Sequence, residues 1–155
     1  MLVLWIDPWT TTTGYALVEK NWNKVSLIDY WIIETTPKIS LKDKILEIVW
    51  DINSLVEDND FDKVVIEKLF FTTNLKTWID VAQARWAIVY EIARKWIDIE
   101  EYTPLQLKKA ITGNWKANKI QLQRSIKILF RLDEVPKPDD AADAIWLAYM
   151  WILKK

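Results

Sequence analysis

The chain has 155 residues, of which 51% are hydrophobic and 28% charged, and its formal net charge is −1. This length and balance predict one folded domain over residues 1–155 and exclude a disordered tail. Cysteine and histidine are both absent, which excludes disulfides, thiol nucleophiles, Cys/His zinc sites and imidazole triads. Any chemistry must therefore come from carboxylates, lysines, hydroxyls or a hard metal ion held by oxygen.

Apolar runs and turn residues predict an α/β domain with a mixed sheet. In chain order we expect strands at 2–7, 14–20 and 24–34, a helix at 40–57, a strand at 64–66, a helix at 74–95 and a strand at 97–102. Helices at about 105–111, 118–131 and 139–153 follow. In the helix at 118–131, Leu122, Ile126 and Leu129 recur at helical spacing and are expected to face inward.

No segment predicts a membrane span or a signal peptide. The N-terminus lacks a basic region, and Asp7 interrupts its apolar run. The apolar stretch at 144–153 has about half of the roughly 20 residues that a span requires. We therefore expect a cytoplasmic protein that does not contact a membrane.

Four carboxylates are candidates for a metal site. Asp7 and Glu67 each end an apolar strand, where α/β sheets place ligand sites, and they converge if the two strands are neighbours. Asp140 and Asp143 are three residues apart at the start of the last helix and project from one face. Together the four acids offer the oxygen donors that Mg²⁺ and Mn²⁺ prefer.

Each acid also has a purely structural interpretation. Asp7 before Pro8 is compatible with a simple turn, and Glu67 with a lysine ion pair. Asp140 and Asp143 are compatible with a helix N-terminus, which favours negative charge. Because the chain has no other plausible catalytic groups, the four acids taken jointly favour the metal site.

Positive charge is concentrated in residues 104–132, which contain seven Lys and Arg side chains and no acid. Such local asymmetry can form a phosphate-binding face on a protein of nearly neutral net charge. A solvated helix face explains the same charges equally well.

Four segments occur together in a recognisable order and spacing: residues 6–10 with 13–15 (IDPWT and TGY), 65–67 (VIE) with Phe70, 83–85 (QAR) and 140–144 (DAADA). In this combination the chain resembles the RuvC-type Holliday junction resolvases of the ribonuclease H-like superfamily. The resemblance implies a five-stranded mixed sheet flanked by helices on both faces. It also implies a structure-selective endonuclease that resolves four-way DNA junctions by paired symmetric nicks, leaving 5′-phosphate and 3′-hydroxyl ends.

By this resemblance, Asp7, Glu67, Asp140 and Asp143 bind two Mg²⁺ ions, or Mn²⁺ in their place. One ion activates the attacking water and the other stabilises the departing 3′ oxygen. Lys108 and Lys119 match lysines that contact DNA near the scissile phosphate, and Lys109, Lys116 and Arg124 add phosphate contacts. Phe70 matches an aromatic that stacks on bases at the junction centre, although a core or helix-staple aromatic is the alternative.

The resemblance also implies partners. Because a four-way junction has two equivalent strands to cut, a C2 homodimer suits it, and the helix from Asn74, including Gln83 and Arg85, is a candidate dimer surface. Core packing is the alternative for that helix. The family further suggests the branch-migration proteins RuvA and RuvB as partners.

Tryptophan and glycine are present in abnormal numbers, 11 and 2 respectively. Trp22 follows Asn21 between two strands, at the site of an Asn-Gly hairpin turn, and Trp96 occupies the usual glycine position after a helix. Trp9, Trp86, Trp115 and Trp146 stand where the resolvase pattern carries glycine, and Trp5 lies two residues before Asp7. We hypothesise that these codons are UGA read as glycine; indoles that stack on bases are the alternative.

Other functions fit parts of the sequence. A related nuclease group that trims RNA shares the fold, but the DAAD spacing, the basic segment and Phe70 favour the junction enzyme. Residues 7–14 also resemble the phosphate loop of sugar and acetate kinases, which need two such lobes. If the 11 tryptophans are genuine, a catalytically inert DNA-binding protein is the remaining alternative.

Overall fold

The computed structural model of the protein describes residues 1–69, 75–103 and 119–153, without the side chains of residues 75–77, 119, 121, 122, 139 and 140. The elements in these ranges are strands β1 (Leu2–Asp7), β2 (Thr12–Asn21), β3 (Lys24–Glu34), β4 (Lys63–Glu67) and β5 (Ile99–Tyr102), and helices α1 (Leu41–Glu57), α2 (Leu75–Ala93), α3 (Lys119–Phe130) and α4 (Asp139–Ile152).

The five strands form one mixed sheet in the order β3-β2-β1-β4-β5. The first three strands are antiparallel neighbours, whereas β1 pairs with β4, and β4 with β5, in parallel. The predicted mixed five-stranded sheet is therefore confirmed. Its central strand, β1, is the apolar run LVLWID, as expected for a strand buried on both faces.

Helices cover both faces of this sheet. Because side chains alternate along a strand, Leu4 and Ile6 face one layer of core while Val3 and Trp5 face the other. The first layer is completed by α1 and α2, which contribute Ile48, Ile52, Ala84, Ile88 and Ile92. The second layer is completed mainly by α4, which contributes Ala144, Ile145, Ala148, Trp151 and Ile152.

Local signals explain where several elements begin and end. Ser40 caps α1, since its hydroxyl accepts a hydrogen bond from the Asp43 N–H at 3.2 Å. The hairpin between β2 and β3 has a two-residue loop, Trp22-Asn23, closed by the Asn21–Lys24 pair. Only the first loop residue has a positive φ, 55° at Trp22. This is the type II′ pattern, which places glycine first, rather than the Asn-Gly type I′ pattern.

Two details differ from the sequence-based expectations. Strand β2 begins two residues earlier than predicted and β5 two residues later. Leu129 is 41% exposed, so its predicted inward orientation is wrong, whereas Ile126 is fully buried as expected. Helix α3 therefore presents a narrower apolar stripe to the core than its sequence suggests. The side chain of Leu122 is not described, and Asn74 and the helix predicted at 105–111 lie outside the described residues.

Within the described ranges, no helix combines the length and the apolar character that crossing a membrane would require.

Candidate active site

The parallel pairing of β1 and β4 brings two acids to the same edge of the sheet. The register aligns Trp5 with Val65 and Ile6 with Ile66, so Asp7 and Glu67 follow side by side. Trp5 and Val65 belong to the core layer under α4. Since strand side chains alternate, Asp7 and Glu67 point to that same face. The expected convergence of these two acids is therefore observed.

The two carboxyl groups are hydrogen bonded to each other, and the pKa of Glu67 is raised to about 9. Burial is the main cause, followed by the charge of Asp7, the hydrogen bond with Asp7 and the charge of Asp143. A second carboxylate at such a short distance cannot ionise freely. The pair therefore retains a proton near neutral pH unless a cation replaces it.

Helix α4 brings the third acid to this edge. Asp143 lies in its second turn, half-buried, and its charge contributes to the raised pKa of Glu67. Asp140 lies in the first turn of the same helix, and its side chain is not described. Among the described side chains, no three acids meet as a group that could hold a metal ion. The structure thus joins Asp7 to Glu67 and places Asp143 within electrostatic range of them.

The chemistry of this edge fits a divalent cation. Its donors are carboxylate oxygens, which Mg²⁺ and Mn²⁺ prefer. Burial and mutual repulsion raise the free energy of two ionised carboxylates, and a bound cation would offset both. Asp7 and Glu67 would hold such an ion, with Asp143 contributing from the helix.

The loop that follows Asp7 is fixed by two threonines that the sequence analysis did not single out. The hydroxyl of Thr13, which is fully buried, donates to the Trp9 carbonyl at 2.9 Å. The hydroxyl of Thr35 donates to the Thr10 carbonyl, also at 2.9 Å. Thr13 belongs to the TGY segment, so its position in the motif was a signal that could have been used. These bonds fix the backbone beside Asp7.

Two indoles flank the acids. Trp5 is fully buried two residues before Asp7, and Trp146 lies one helical turn after Asp143. Among the described side chains, the Nε1 atoms of both are buried without a hydrogen-bond partner. Both indole nitrogens are therefore buried donors that lie close to the acids in the chain.

Arg85 lies on the opposite face of the sheet, and this corrects the prediction that it contributes to an exposed dimer surface. The residue is 5% exposed. Its Nε donates to the Glu67 carbonyl at 3.0 Å, and its guanidinium pairs with Glu101 on β5. Burial acts to raise the pKa of Glu101, but hydrogen bonds and charge from Arg85 and Lys68 outweigh it and hold that pKa below its usual range.

The predicted DNA-binding residues are mostly beyond the described part of the chain. Phe70, Lys108, Lys109 and Lys116 lie outside the described residues, and Lys119 begins α3 without a described side chain. Arg124 is exposed on α3, as a phosphate contact requires. These assignments remain predictions.

Comparison with known proteins identifies the family. A family model described as crossover junction endodeoxyribonuclease RuvC matches residues 3–151. RuvC of Halothermothrix orenii is 43% identical over 145 residues, covering 94% of this chain and 88% of that protein. RuvC of Caldicellulosiruptor saccharolyticus is 42% identical over 154 residues, covering 99% and 93%.

Solved structures agree on the fold. Thermus thermophilus RuvC in complex with a Holliday junction substrate superposes with a TM-score of 0.83 at 22% identity, covering 97% of this chain and 92% of that one. The yeast mitochondrial Holliday junction resolvase Ydc2 gives a TM-score of 0.74 at 16% identity, covering 97% and 77%. The fold expected from the motifs, a five-stranded mixed sheet with helices on both faces, is thereby confirmed. With its acids at the carboxyl end of this sheet and its sequence matched almost throughout, the chain belongs to the RuvC family of crossover junction endodeoxyribonucleases.

Proposed function

We propose that this protein is a divalent-metal-dependent endonuclease that resolves four-way DNA junctions by paired symmetric nicks during recombination and repair. The observation that carries the proposal is the Asp7–Glu67 carboxyl pair, half-buried at the edge of the sheet, with the charge of Asp143 acting on Glu67. Family membership, shown by identities above 40% over nearly the whole chain, supports the same activity.

The carboxylates Asp7, Glu67, Asp140 and Asp143 would hold two Mg²⁺ ions, and such ions supply Lewis-acid catalysis for phosphodiester hydrolysis when bound. The chain's own residues position the acids, and the acids give the site its negative charge. Thr13 and Thr35 fix the loop after Asp7, and the sheet register keeps Asp7 beside Glu67. The products would carry 5′-phosphate and 3′-hydroxyl ends.

Positive side chains away from the acids would contact the phosphate backbone. Arg124 is the described member of this set, and the others are Lys108, Lys109, Lys116 and Lys119. Because phosphate contacts fix orientation without reading sequence, they suit an enzyme that selects a DNA shape. Phe70 would stack on bases at the centre of the junction.

A homodimer would present two such sites to the two equivalent strands. Helix α2 exposes one face formed by residues at helical spacing: Ile79, Gln83, Trp86 and Tyr90. Ile79 and Tyr90 are 56% and 69% exposed, so this face is apolar with or without an indole at position 86. An apolar stripe of this kind is suited to pairing with a second copy about a twofold axis. In the cell, we expect the dimer to act in the cytoplasm with RuvA and RuvB.

A cleavage assay with three labelled substrates tests this function. The protein is incubated with a four-way junction, a linear duplex of the same sequence and a structured RNA, each with and without Mg²⁺. We expect symmetric nicks in the junction alone, and only with Mg²⁺. Equal cutting of linear DNA would refute structure selectivity, and cutting of the RNA alone would favour the RNA-processing nucleases. Binding to the junction without any cutting would favour an inert DNA-binding protein.

A further inference from the structure

Arg85 is a buried cation that joins two strands at the active-site edge, although it lies on the face of the sheet opposite the acids. Its side chain is 6% exposed, and its guanidinium pairs with Glu101 on β5. Its Nε donates at 3.0 Å to the carbonyl of Glu67, the last residue of β4. A single side chain thus ties the end of β4 to β5.

This contact occurs where the pairing of β4 with β1 ends, while the pairing of β4 with β5 continues to Glu67 and Tyr102. The register of β1 with β4 is recorded as far as Ile6 and Ile66, one residue before the two acids. Beyond Glu67, the Lys68 N–H still bonds to the Tyr102 carbonyl at 2.6 Å, and Lys68 Nζ lies 3.6 Å from Glu101. The backbone of Glu67 is therefore fixed chiefly from the β5 side, and Arg85 supplies its side-chain anchor there.

Arg85 is suited to this task because its guanidinium is planar and always charged. It donates to a carbonyl and to a carboxylate at once, which a lysine ammonium cannot do in the same fixed geometry. Glu101 compensates the buried charge, so Arg85 does not cancel the negative charge of the acids. Its influence on the site would therefore operate through the position of Glu67.

We propose that Arg85 is a positioning residue that fixes the backbone of Glu67, so that its carboxylate stands beside Asp7 in the geometry that binds the divalent cation. The inference rests on the proposed function for its role in cutting, and on the chain's own contacts for its role in cation binding. Hydrogen-bond partners of metal ligands typically change metal affinity or activity about 10- to 100-fold when they are lost.

The test compares Arg85→Lys with Arg94→Lys. Arg94, just beyond α2, also donates from Nε to a carboxylate, that of Glu91 at 2.7 Å, but it lies away from the acids. Two Mg²⁺ midpoints are measured for each protein. The thermal midpoint is the Mg²⁺ concentration that gives half of the full rise in unfolding temperature, without DNA. The cutting midpoint is the Mg²⁺ concentration that gives half of the maximal rate of junction cutting. We expect Arg85→Lys to raise both midpoints about tenfold, and Arg94→Lys to leave both unchanged.

A lower unfolding temperature with unchanged midpoints would show that Arg85 is merely structural and would overturn the proposal. If Arg85→Lys does not fold, Glu101→Gln takes its place, because it loosens the guanidinium while leaving the bond to Glu67. We expect Glu101→Gln to raise the midpoints as well, and unchanged midpoints would again contradict the proposal. Wild-type protein that binds Mg²⁺ but leaves junctions intact would refute the nuclease function alone, since the thermal midpoint requires no DNA.

A second inference comes independently from the backbone at two tryptophans. Four described residues other than glycine have a positive φ: Trp22, Lys38, Trp96 and Arg131. Trp22 is the first loop residue of the β2–β3 hairpin, with φ 55°, and Trp96 follows α2, with φ 60°. The Trp96 N–H bonds to the Ala93 carbonyl at 3.0 Å, as in a helix C-terminal cap. Both positions are ones that glycine occupies without steric cost.

The indoles themselves gain nothing at these positions. Trp22 and Trp96 are each 95% exposed, so neither side chain contributes buried apolar surface. Together with 2 glycines against 11 tryptophans in the chain, this geometry favours glycine over tryptophan at both positions. We infer that positions 22 and 96 carry glycine in the protein as its own organism makes it, through UGA codons read as glycine.

Mass spectrometry of peptides from the protein purified from its native organism decides this inference. Peptides covering positions 22 and 96 should have the mass of glycine, and peptides with the mass of tryptophan would overturn it. In the recombinant chain, we expect Trp22→Gly and Trp96→Gly each to raise the unfolding temperature. Lys38→Gly is the matched control, since it relieves a φ of 64° without removing an indole. If Lys38→Gly raises the unfolding temperature but neither Trp22→Gly nor Trp96→Gly does, the inference from the positive φ values is contradicted.

Discussion

The two faces of the sheet are made by alternate residues of the same strands, but their chemistry differs at the carboxyl edge. On the face covered by α1 and α2, the apolar packing of Ile6 and Ile66 continues to the end of the strands. On the face covered by α4, the packing of Trp5 and Val65 is followed directly by Asp7 and Glu67. The α1/α2 face thus keeps apolar contacts up to the ends of β1 and β4, whereas the α4 face has acids in place of apolar residues there.

The difference shows how a small domain accommodates an unfavourable site. Partial burial of mutually repelling carboxylates lowers the stability of one face, and the aliphatic layer on the other face offsets that cost. Changes on the α4 face should therefore alter activity more than stability, and truncation of the aliphatic residues on the α1/α2 face should do the reverse. Arg85 is the exception on that face, because it contacts the backbone of Glu67.

The largest effect on the α4 face should come from Asp7→Asn. The amide keeps the size of the side chain but removes a negative charge from the candidate metal site, so junction cutting should fall below detection while junction binding persists. A gel-shift assay without Mg²⁺ alongside a cutting assay with Mg²⁺ measures both. Loss of binding together with cutting would point to misfolding instead.

On the α1/α2 face, Ile52→Ala should chiefly reduce stability. Ile52 is fully buried in the aliphatic layer, and truncating such a residue typically costs about 2–5 kcal/mol. Urea denaturation followed by circular dichroism gives the free energy of unfolding. The Mg²⁺ midpoint for cutting should remain that of the wild type, and a shifted midpoint would show that the aliphatic layer also affects the cation site.

Glu67→Gln should stabilise the metal-free protein while abolishing cutting. Folding raises the pKa of Glu67 from 4.5 to about 9. At a pH between these two values, the folded protein keeps the proton on Glu67 and the unfolded chain has lost it. The free energy of unfolding of the metal-free wild type should therefore fall as pH rises from about 5 to 9, and Glu67→Gln should remove that slope.

Thermal unfolding in EDTA across this pH range tests the prediction. Each kcal/mol of unfolding free energy that Glu67→Gln adds at pH 8 should raise the unfolding temperature by about 2–4 °C. Mg²⁺ should stabilise the wild type more strongly at pH 8 than at pH 6, because the ion binds the ionised carboxylates of the folded state. If the stability of the metal-free wild type does not change with pH, the raised pKa of Glu67 beside Asp7 is contradicted.

The smallest effect should come from Ser40→Ala, which removes the cap of α1. The lost hydrogen bond to the Asp43 N–H should cost about 1 kcal/mol of unfolding free energy. Ser40→Asp is the control, because aspartate is also a preferred cap, and it should retain most of the stability. Cutting rates below the unfolding transition should be the same in both variants.

Local patterns were sufficient to predict most of the architecture. The bounds of β3 and α1 could be predicted because the signals that set them are local: the apolar pattern of each segment and the cap at the start of α1. The convergence of Asp7 with Glu67 could be predicted only conditionally, since adjacency of β1 and β4 is a long-range property of the sheet. Asp140 and the basic segment stay predictions.

Arg85 illustrates what sequence patterns do not reveal. An arginine in a helix usually lies at the surface, and nothing local indicates that Glu67 and Glu101 provide its partners. Leu129 was misjudged for a related reason, because helical spacing defines a stripe but not how much of it the neighbouring helix covers. In both cases the deciding contacts come from distant segments.

The acids of the α4 face come from widely separated parts of the chain, with Asp7 on the first strand and Asp143 on the last described helix. During synthesis, a nascent chain that has emerged only as far as β5 carries Asp7 and Glu67 but lacks the third acid. Under the proposed function, cutting activity would therefore arise only after α4 has been synthesised.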